Sequence, residues 1–324
     1  MNIAIIGAGI SGLTAASILK NYANVTIFEK SRGVGGRMST RREGLFYFDH
    51  GAQFFTAKTD AFKSFMSAML DQGIIMRWDA RFVEFEYQTI VSRRNWNEQD
   101  PHYVAVKSMN AVAKYLAKDI DIQLNKRIAT IKHNGKWDLI DDLENHVGSF
   151  DWVISSAPAE QTAELMPKLF TYHADIASSK MVGCFALMLG FTQPLPLDFD
   201  AALIRGSNIS WISVNSSKPG RDDIFCLVVH STNQWAENHQ DEDRGKLMEY
   251  LCEETSSIIG YDVNVAKHKA IHYWRYANIE KQNKPLMIDA HQKLAACGDW
   301  CIQGGVEAAY TSGMNIVEYM LKII

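Results

Sequence analysis

Cysteine is scarce in this chain and odd in number, five among 324 residues, so no full set of disulfides stands ready to staple it. No basic segment with an apolar leader precedes the first strand, and with the cysteine count this points to a reduced, cytoplasmic setting. Cys297 and Cys301 have no second Cys or His pair at zinc-finger spacing, so no metal centre is expected and the two read as small packed residues. No apolar run approaches the ~20 residues that cross a bilayer, and no membrane role is expected. Positive charge is massed nowhere: 33 lysines and arginines stand against 37 acids for a net charge of -4, which leaves no electrostatic footprint for nucleic acid. Internal repeats and low-complexity segments are also missing. What remains is 47% hydrophobic, enough for a full core, and long enough for two modules or one large α/β unit with an insertion.

The first forty residues read as a nucleotide cradle. An apolar strand, Ile3 to Ile6, runs into Gly7, Gly9 and Gly12, and a helical pattern follows through Leu13, Ala16, Ile18 and Leu19. Strand, glycines and helix in that order are what the GxGxxG spacing requires. The first glycine allows the tight turn, the second lets a pyrophosphate approach the backbone, and the third lets helix and strand pack closely. The helix then turns its free N–H groups to the phosphates. A second apolar strand, Val25 to Phe28, ends in Glu29, placed where an acid hydrogen-bonds an unphosphorylated adenosine ribose.

Close behind Glu29, the residues Gly33, Gly35, Gly36 and Arg37 form a second glycine-rich turn ending in a guanidinium, a second phosphate clamp. This turn looks like the glycine-glycine-arginine motif of the flavoproteins that include the amine oxidases, and it separates FAD from NAD. Arg41 and Arg42 add charge that also suits plain exposure.

Further along, Phe46 to Thr56 is half apolar and broken by Asp49, His50 and Gly51, which suits backbone lying close to a flat ring. The pattern predicts a helix capped by Asp60 and ended by Gly73, and a second from Ser108 to Lys118. Strands are expected at Ile122 to Leu124, Ile128 to Lys132, Trp137 to Ile140 and Asp151 to Ser155, with His133, Asn134 and Gly135 turning a hairpin. From about Met166 to Lys284 long strands (Met181 to Phe191, Ile209 to Val214, Ile224 to His230, Val263 to Trp274) and one clear helix, Arg244 to Ile259, suggest a mixed sheet covered on one side. Its aromatics Trp211, Trp235, Tyr273, Trp274 and Tyr276 exceed what a core demands, and some should face a planar ligand. The chain closes with a strand, Lys293 to Cys297, then Gly298, Asp299 and Trp300, then a helix from about Glu307 to Leu321, a second strand-to-helix turn able to hold a ribityl chain.

On these residues the chain resembles the renalase family, particularly its bacterial members within the flavin monoamine-oxidase-like group. The resemblance runs through GRMSTRR (36–42), GAQFFTA (51–57), SWISVNSSKPGR (210–221), His230 with Trp235 and His239, WRYA (274–277) and GDWCIQGGVEAAYTSG (298–313). Of these, SSKPGR, WRYA and GDW are the family-specific stretches. One departure lies at VAVKSM (104–109), where family members often carry a glycine and a proline before the methionine.

The resemblance implies an α/β fold. A Rossmann-type FAD-binding domain is assembled from discontinuous segments, 1–75, 100–165 and 285–324, and a second α+β substrate domain of mixed β-sheet takes 76–99 and 166–284. Carried over motif by motif, FAD contacts come from Gly7, Gly9, Ser11, Gly12, Glu29, Lys30, Gly36, Arg37, Met38, Gln53, Ile128, Gly298, Asp299 and Val306. The flavin is expected to be non-covalent, since nothing around Cys301 resembles the attachment motif of monoamine oxidases. The implied activity is oxidation of the mis-reduced 2- and 6-dihydro isomers of β-NAD(P)H to β-NAD(P)+, with electrons passing to oxygen and hydrogen peroxide as by-product.

That chemistry needs alignment rather than a catalytic base, because a dihydropyridine losing hydride becomes an aromatic pyridinium. Amine oxidases of the wider group place a lysine near the flavin, on a strand that aligns with Val182 to Leu189; the lysine position holds Gly183, while Lys180 nearby keeps amine oxidation open. Substrate-site candidates are Phe54, His230, Trp274, Arg275, Tyr276 and Trp300, the aromatics walling the ring and His230 or Arg275 holding a carboxamide or phosphate. Each also has a structural reading, as a satisfied core histidine or a bridging arginine. A flavin amine oxidase and a flavin-binding module without rapid turnover stand as the alternatives.

Overall fold

The computed structural model describes residues 1–323, which divide into two compact units. The first comprises Met1–Met38, Val112–Met181 and the chain from Asn278 onward; the second comprises Ser39–Ala111 and Val182–Ala277.

The first unit is built on a six-stranded sheet in the order Met287–Asp289, Leu294–Ala296, Trp152–Ser155, Asn2–Ile6, Asn24–Phe28 and Asp121–Gln123. All its pairs are parallel except the edge pair Met287–Asp289 with Leu294–Ala296. A parallel sheet is buried on both faces, which is why Ile3, Ala4, Ile5, Val153 and Ile154 form an almost unbroken apolar run with no exposure. The helix Ile10–Leu19 follows the first strand and packs on the C-terminal helix Val306–Met320. Gly313 makes that approach close: a Cβ there would lie 2.5 Å from the Ser11 carbonyl oxygen. A three-stranded antiparallel sheet, Ile128–Asn134, Lys136–Asp141 and His146–Phe150, completes the unit. Its first turn is the expected hairpin, with Gly135 at φ +76°.

The second unit carries a seven-stranded sheet in the order His268–Asn278, Val182–Gly190, Cys226–Ser231, Ile209–Val214, Ala201–Arg205, Arg81–Glu86 and Thr89–Asn95. It is mixed, since Ala201–Arg205 pairs parallel with Arg81–Glu86 amid antiparallel neighbours. Side chains alternate between the faces of a strand, and here the alternation sorts the unit. One face presents Phe185, Leu187, Leu189, Ile212, Leu227 and Val229 to Trp235 and to Leu247, Leu251 and Ile258 of the helix Arg244–Ile259. The other presents Met188, Val228, His230, Trp211 and Ser213, with Phe48 packed against Met188 and Val228. The helix is capped by the Asp243 carboxylate, which accepts from the Lys246 N–H at 3.0 Å, and closed by Gly260 at φ +74°.

The cut between the units differs from the boundaries expected from sequence. Residues 39–75 and 100–111 join the second unit, because the hairpin Arg41–Glu43 with Phe46–Phe48 buries Phe48 against its sheet and Asp49 binds Lys218 within it. Residues 166–181 and 278–284 fall in the first. Two local expectations are also corrected. Thr59, not Asp60, caps the helix Asp60–Asp71, its hydroxyl accepting from the Phe62 N–H. The stretch from Val263 opens as a 3-10 turn capped by Asp262, and the strand begins only at His268.

Candidate active site

In the first unit the three glycines do three different things. Gly7 sits at φ +107° and its N–H donates to the Phe28 carbonyl at 2.8 Å, which makes the turn out of the first strand. Gly12 meets backbone: a Cβ would lie 2.4 Å from both the Gly7 carbonyl oxygen and the Ser156 hydroxyl. Gly9 meets nothing within 4 Å, so its missing side chain leaves room that no protein atom fills. Gly9 is also the N-cap of Ile10–Leu19, and no side chain caps that helix. Its first-turn N–H groups are therefore free to receive an anion. Glu29, buried, accepts from the Ala8 N–H at 2.8 Å and the Ser31 N–H at 2.7 Å, which fixes the carboxylate at the end of the second strand. Each oxygen keeps acceptor capacity for a hydroxyl.

The second glycine turn docks on the first: Gly35 N–H donates to the Ala8 carbonyl at 2.9 Å, and a Cβ on Gly36 would lie 3.5 Å from the Gly9 Cα. Arg37 and Asp299, 262 residues apart, form a bidentate pair at 2.9 and 2.5 Å. A guanidinium held this way is a fixed donor fork, not a loose basic loop. Met38 is buried beside it in sequence, Lys30 is exposed with its ammonium donating to Gln161, and Ile128 opens its strand buried. Gly298 donates to the Ser312 hydroxyl, and Val306 begins a helix whose N-cap, Gly305, is likewise without a side-chain cap. Trp300 is 1% exposed and its indole donates to the Ala157 carbonyl at 2.9 Å, so it packs within the first unit. Cys297 and Cys301 are buried free thiols; burial pushes Cys297 up to about 11 and Cys301 higher still.

In the second unit, a buried ionic knot holds the Asp49–Phe54 segment. Asp49 is sealed from solvent, and burial works against its charge, yet Lys218 and Arg221 beside it and the Thr40 hydroxyl hold its carboxyl below the usual range. Arg221 donates at 2.7 Å and Lys218 at 3.3 Å to the same carboxylate oxygen; Thr40 and the Met109 N–H serve the other. Lys218 is wholly buried and also donates to Asn215 and Gln53. Gln53 is completely engaged: its oxygen accepts from Ser213 and Lys218, and its amide donates to the Asp49 and Gly51 carbonyls. All four of its hydrogen-bond positions are occupied, so what this segment offers a cofactor is backbone rather than the Gln53 side chain. Next to the knot, Lys107 adopts φ +65°, a conformation that glycine takes at no steric cost and lysine only with strain, so the departure at VAVKSM falls on a strained backbone position.

Around the same segment stand His50, His230, His272 and Trp274. Two donors converge on one acceptor: His230 Nε2 at 3.1 Å and Trp274 Nε1 at 2.8 Å both reach the His50 carbonyl oxygen. The His50, His272 and Trp274 rings contact one another at 4.5–5.0 Å between centroids. Alternation along His268–Asn278 puts His272, Trp274 and Tyr276 on one face and Tyr273 and Arg275 on the other, so Arg275, exposed, does not share a face with Trp274. Tyr273 packs on Phe185 instead. Phe54 lies among Trp96, His102 and Trp211 at 4.9–5.4 Å. His272 and Trp96 were not singled out from sequence, and His50 only as part of a segment suited to lie near a flat ring; strand alternation would have found His272, whereas Trp96 sits in a polar stretch that gives no signal. Gly183 has no room for a side chain, since a Cβ would lie 2.3 Å from the Tyr273 hydroxyl, and Lys180 is exposed. A cavity of about 760 Å³ opens beside Trp235, His239 and Tyr250, on the helix-covered side of the sheet, and none of the substrate candidates lines it.

Burial pushes His50 and His230 from 6.5 down to about 4, so both are neutral at physiological pH. The unfolded chain binds protons at both imidazoles below about pH 6.5, while the folded chain refuses them until about pH 4. Stability is therefore full above that window and lost as pH falls through it, by about 2 kcal/mol per imidazole at pH ~5. Urea midpoints at pH ~7 and pH ~5 check this: the wild type should drop between them, and His230→Gln should drop less. Equal drops would remove the buried imidazole as the cause.

The first unit fits a flavin dinucleotide on its own geometry, with an open space at Gly9, two uncapped helix N-termini, an anchored acid at Glu29 and a fixed arginine. Comparison with known proteins agrees. Residues 5–71 match the NAD(P)-binding Rossmann-like domain, and residues 87–321 match the flavin containing amine oxidoreductases. Among curated proteins, the 4,4'-diapophytoene desaturase of Staphylococcus aureus strain Newman is 50% identical over 52 residues, which is 16% of this chain and 10% of the desaturase. The chain thus spans only about a tenth of the length of the curated relatives it matches. Solved structures with the same fold include a protein of Exiguobacterium sp. 255-15 provisionally assigned as a protoporphyrinogen oxidase (TM-score 0.80, 12% identity, 100% and 99% of the two chains). Putrescine oxidase bound to putrescine (0.73, 12%, 99% of each) and an oxidoreductase from Methanosarcina mazei (0.71, 14%, 98% and 100%) are similar in the same way. With the amine-oxidoreductase match running through most of its length, the chain belongs to the family of flavin-containing amine oxidoreductases.

Proposed function

We propose that this protein is an FAD-dependent oxidase that removes a hydride from the 2- or 6-dihydro isomers of β-NAD(P)H and delivers the electrons to O2, yielding β-NAD(P)+ and H2O2. When bound, the flavin supplies the two-electron acceptor and the route to oxygen. Gly7, Gly9, Gly12 and Glu29 would hold the adenosine diphosphate half, and Arg37, Asp299 and the Val306 N–H the remainder, with Cys297 and Cys301 staying thiols and the flavin non-covalent. Five free, buried cysteines suit a reducing, cytoplasmic compartment.

The observation that carries the reading is a cluster walled by uncharged rings. His50 and His230 are held neutral, and Trp274 is anchored on the His50 carbonyl. Such a surface can align a flat dihydropyridine and exclude water, which is what hydride loss without a base requires.

Anaerobic stopped-flow mixing of the purified yellow protein with borohydride-reduced NAD+, which contains all three dihydro isomers, tests the reading. Rapid flavin bleaching that consumes the 2- or 6-dihydro fraction and leaves 4-dihydro NADH is the expected result. Bleaching by putrescine or another small amine, with none by the isomers, would transfer the assignment to amine oxidation.

A further inference from the structure

The indole N–H of Trp211 is buried and has no hydrogen-bond partner. Indole nitrogen is a donor only, and a buried one ordinarily finds an acceptor. Its surroundings explain why it has none: the neighbouring side chains Phe54, Phe82 and Trp96 contact it through their rings. Trp96 shows the same deficit, its own indole N–H buried and unpartnered, but Trp96 is 2% exposed whereas Trp211 is partly open. The sheet register places Trp211 directly across from His230, on the face that carries the substrate candidates and away from the helix-covered core. An unmet donor on a partly open side chain, flanked by flat rings and next to a neutral imidazole, asks for an uncharged acceptor on a planar molecule.

Resting on the function proposed above, we infer that Trp211 is the specificity-determining donor of this site, its indole N–H binding the carboxamide oxygen of the dihydronicotinamide. The residue touches the substrate and takes no part in hydride transfer. It selects nicotinamides over flat reductants that lack an acceptor, because only they relieve the unpaired donor.

Holoprotein labelled with 15N-tryptophan displays its indole N–H resonances directly, and Trp211→Phe identifies the one that belongs to Trp211. Titration with β-NAD+ should move that resonance downfield, while ADP-ribose, which keeps the phosphates and lacks the nicotinamide, should leave it in place. In kinetics, Trp211→Phe should raise the KM for the bleaching isomer about five- to tenfold, as expected for one hydrogen bond, with the limiting reduction rate within about twofold of wild type. Equal shifts with ADP-ribose would hand the donor to a phosphate and overturn the carboxamide assignment. No shift with β-NAD+ in a protein whose flavin the isomers do bleach would mean an ordered water satisfies Trp211, and the inference falls while the function stands. If no isomer bleaches the wild-type flavin, both fall together.

Discussion

Replacing Asp49 by alanine is expected to destabilise the second unit by about 3–5 kcal/mol, because it leaves two buried cations around a missing carboxylate. Lys218 and Arg221 are both sealed and both donate to the same Asp49 oxygen, so neither has water to fall back on. Burial already depresses Lys218 to about 8 from an ordinary 10.5 with Asp49 in place. Between those values the folded chain sheds this proton before the unfolded chain does, so Lys218 makes stability rise with pH across that window. Without Asp49 the depression deepens and Lys218 should lose its charge nearer neutrality. The consequence spreads to Gln53 and Asn215, which accept from Lys218, and to Thr40, which donates to Asp49, all of them holding the Asp49–Phe54 segment. Thermal unfolding of Asp49→Asn and Asp49→Ala measures the loss, and the double variant Asp49→Asn with Lys218→Met should recover part of it, since one stranded charge is removed. A wild-type midpoint in Asp49→Asn would mean that the knot is hydrated and neutral, contrary to its burial.

That knot is also where sequence reading reached its limit. Asp49 and Lys218 are 169 residues apart, and no local pattern tells a carboxylate which lysine will close on it. SSKPGR could be recognised as a distinctive stretch, but its role as the clamp on Gln53 required the fold. By contrast, the nucleotide turn was legible because every determinant lies within one strand–turn–helix–strand unit: the apolar run from Ile3 to Ile6, the three glycines and the acid after the second strand. The helix Arg244–Ile259 was equally plain, with an aspartate before it, a glycine after it and an apolar stripe between. Arg275 shows what alternation adds to a motif. Trp274, Arg275 and Tyr276 are adjacent in sequence, and period-two alternation separates Arg275 from the other two. Trp300 stands among the ring-walling candidates, and its indole N–H is satisfied by the Ala157 carbonyl inside the first unit. Proximity in sequence to a functional turn says nothing about which way a side chain packs.

Two alanine substitutions in the nucleotide turn should separate binding from folding. Gly9→Ala places a methyl where no protein atom lies within 4 Å, at a backbone conformation of φ -75° and ψ 175° that alanine adopts freely. The apoprotein should therefore unfold within a degree or two of wild type. Flavin binding should fall roughly a hundredfold, the equivalent of losing two charge-assisted hydrogen bonds of ~1.5 kcal/mol each as the pyrophosphate is pushed off the helix N-terminus. Gly12→Ala does the reverse. Its methyl would lie 2.4 Å from the Gly7 carbonyl oxygen and from the Ser156 hydroxyl, and the carbonyl is backbone that cannot step aside without moving the strand. A loss of about 2–3 kcal/mol in the apoprotein follows from overpacking alone, with flavin binding weakened only through the displaced turn. Differential scanning of the two apoproteins, paired with flavin fluorescence titration, reads both quantities. If Gly9→Ala holds flavin as tightly as wild type, the space above Gly9 does not receive the pyrophosphate, and the orientation of the dinucleotide in this unit has to be drawn differently.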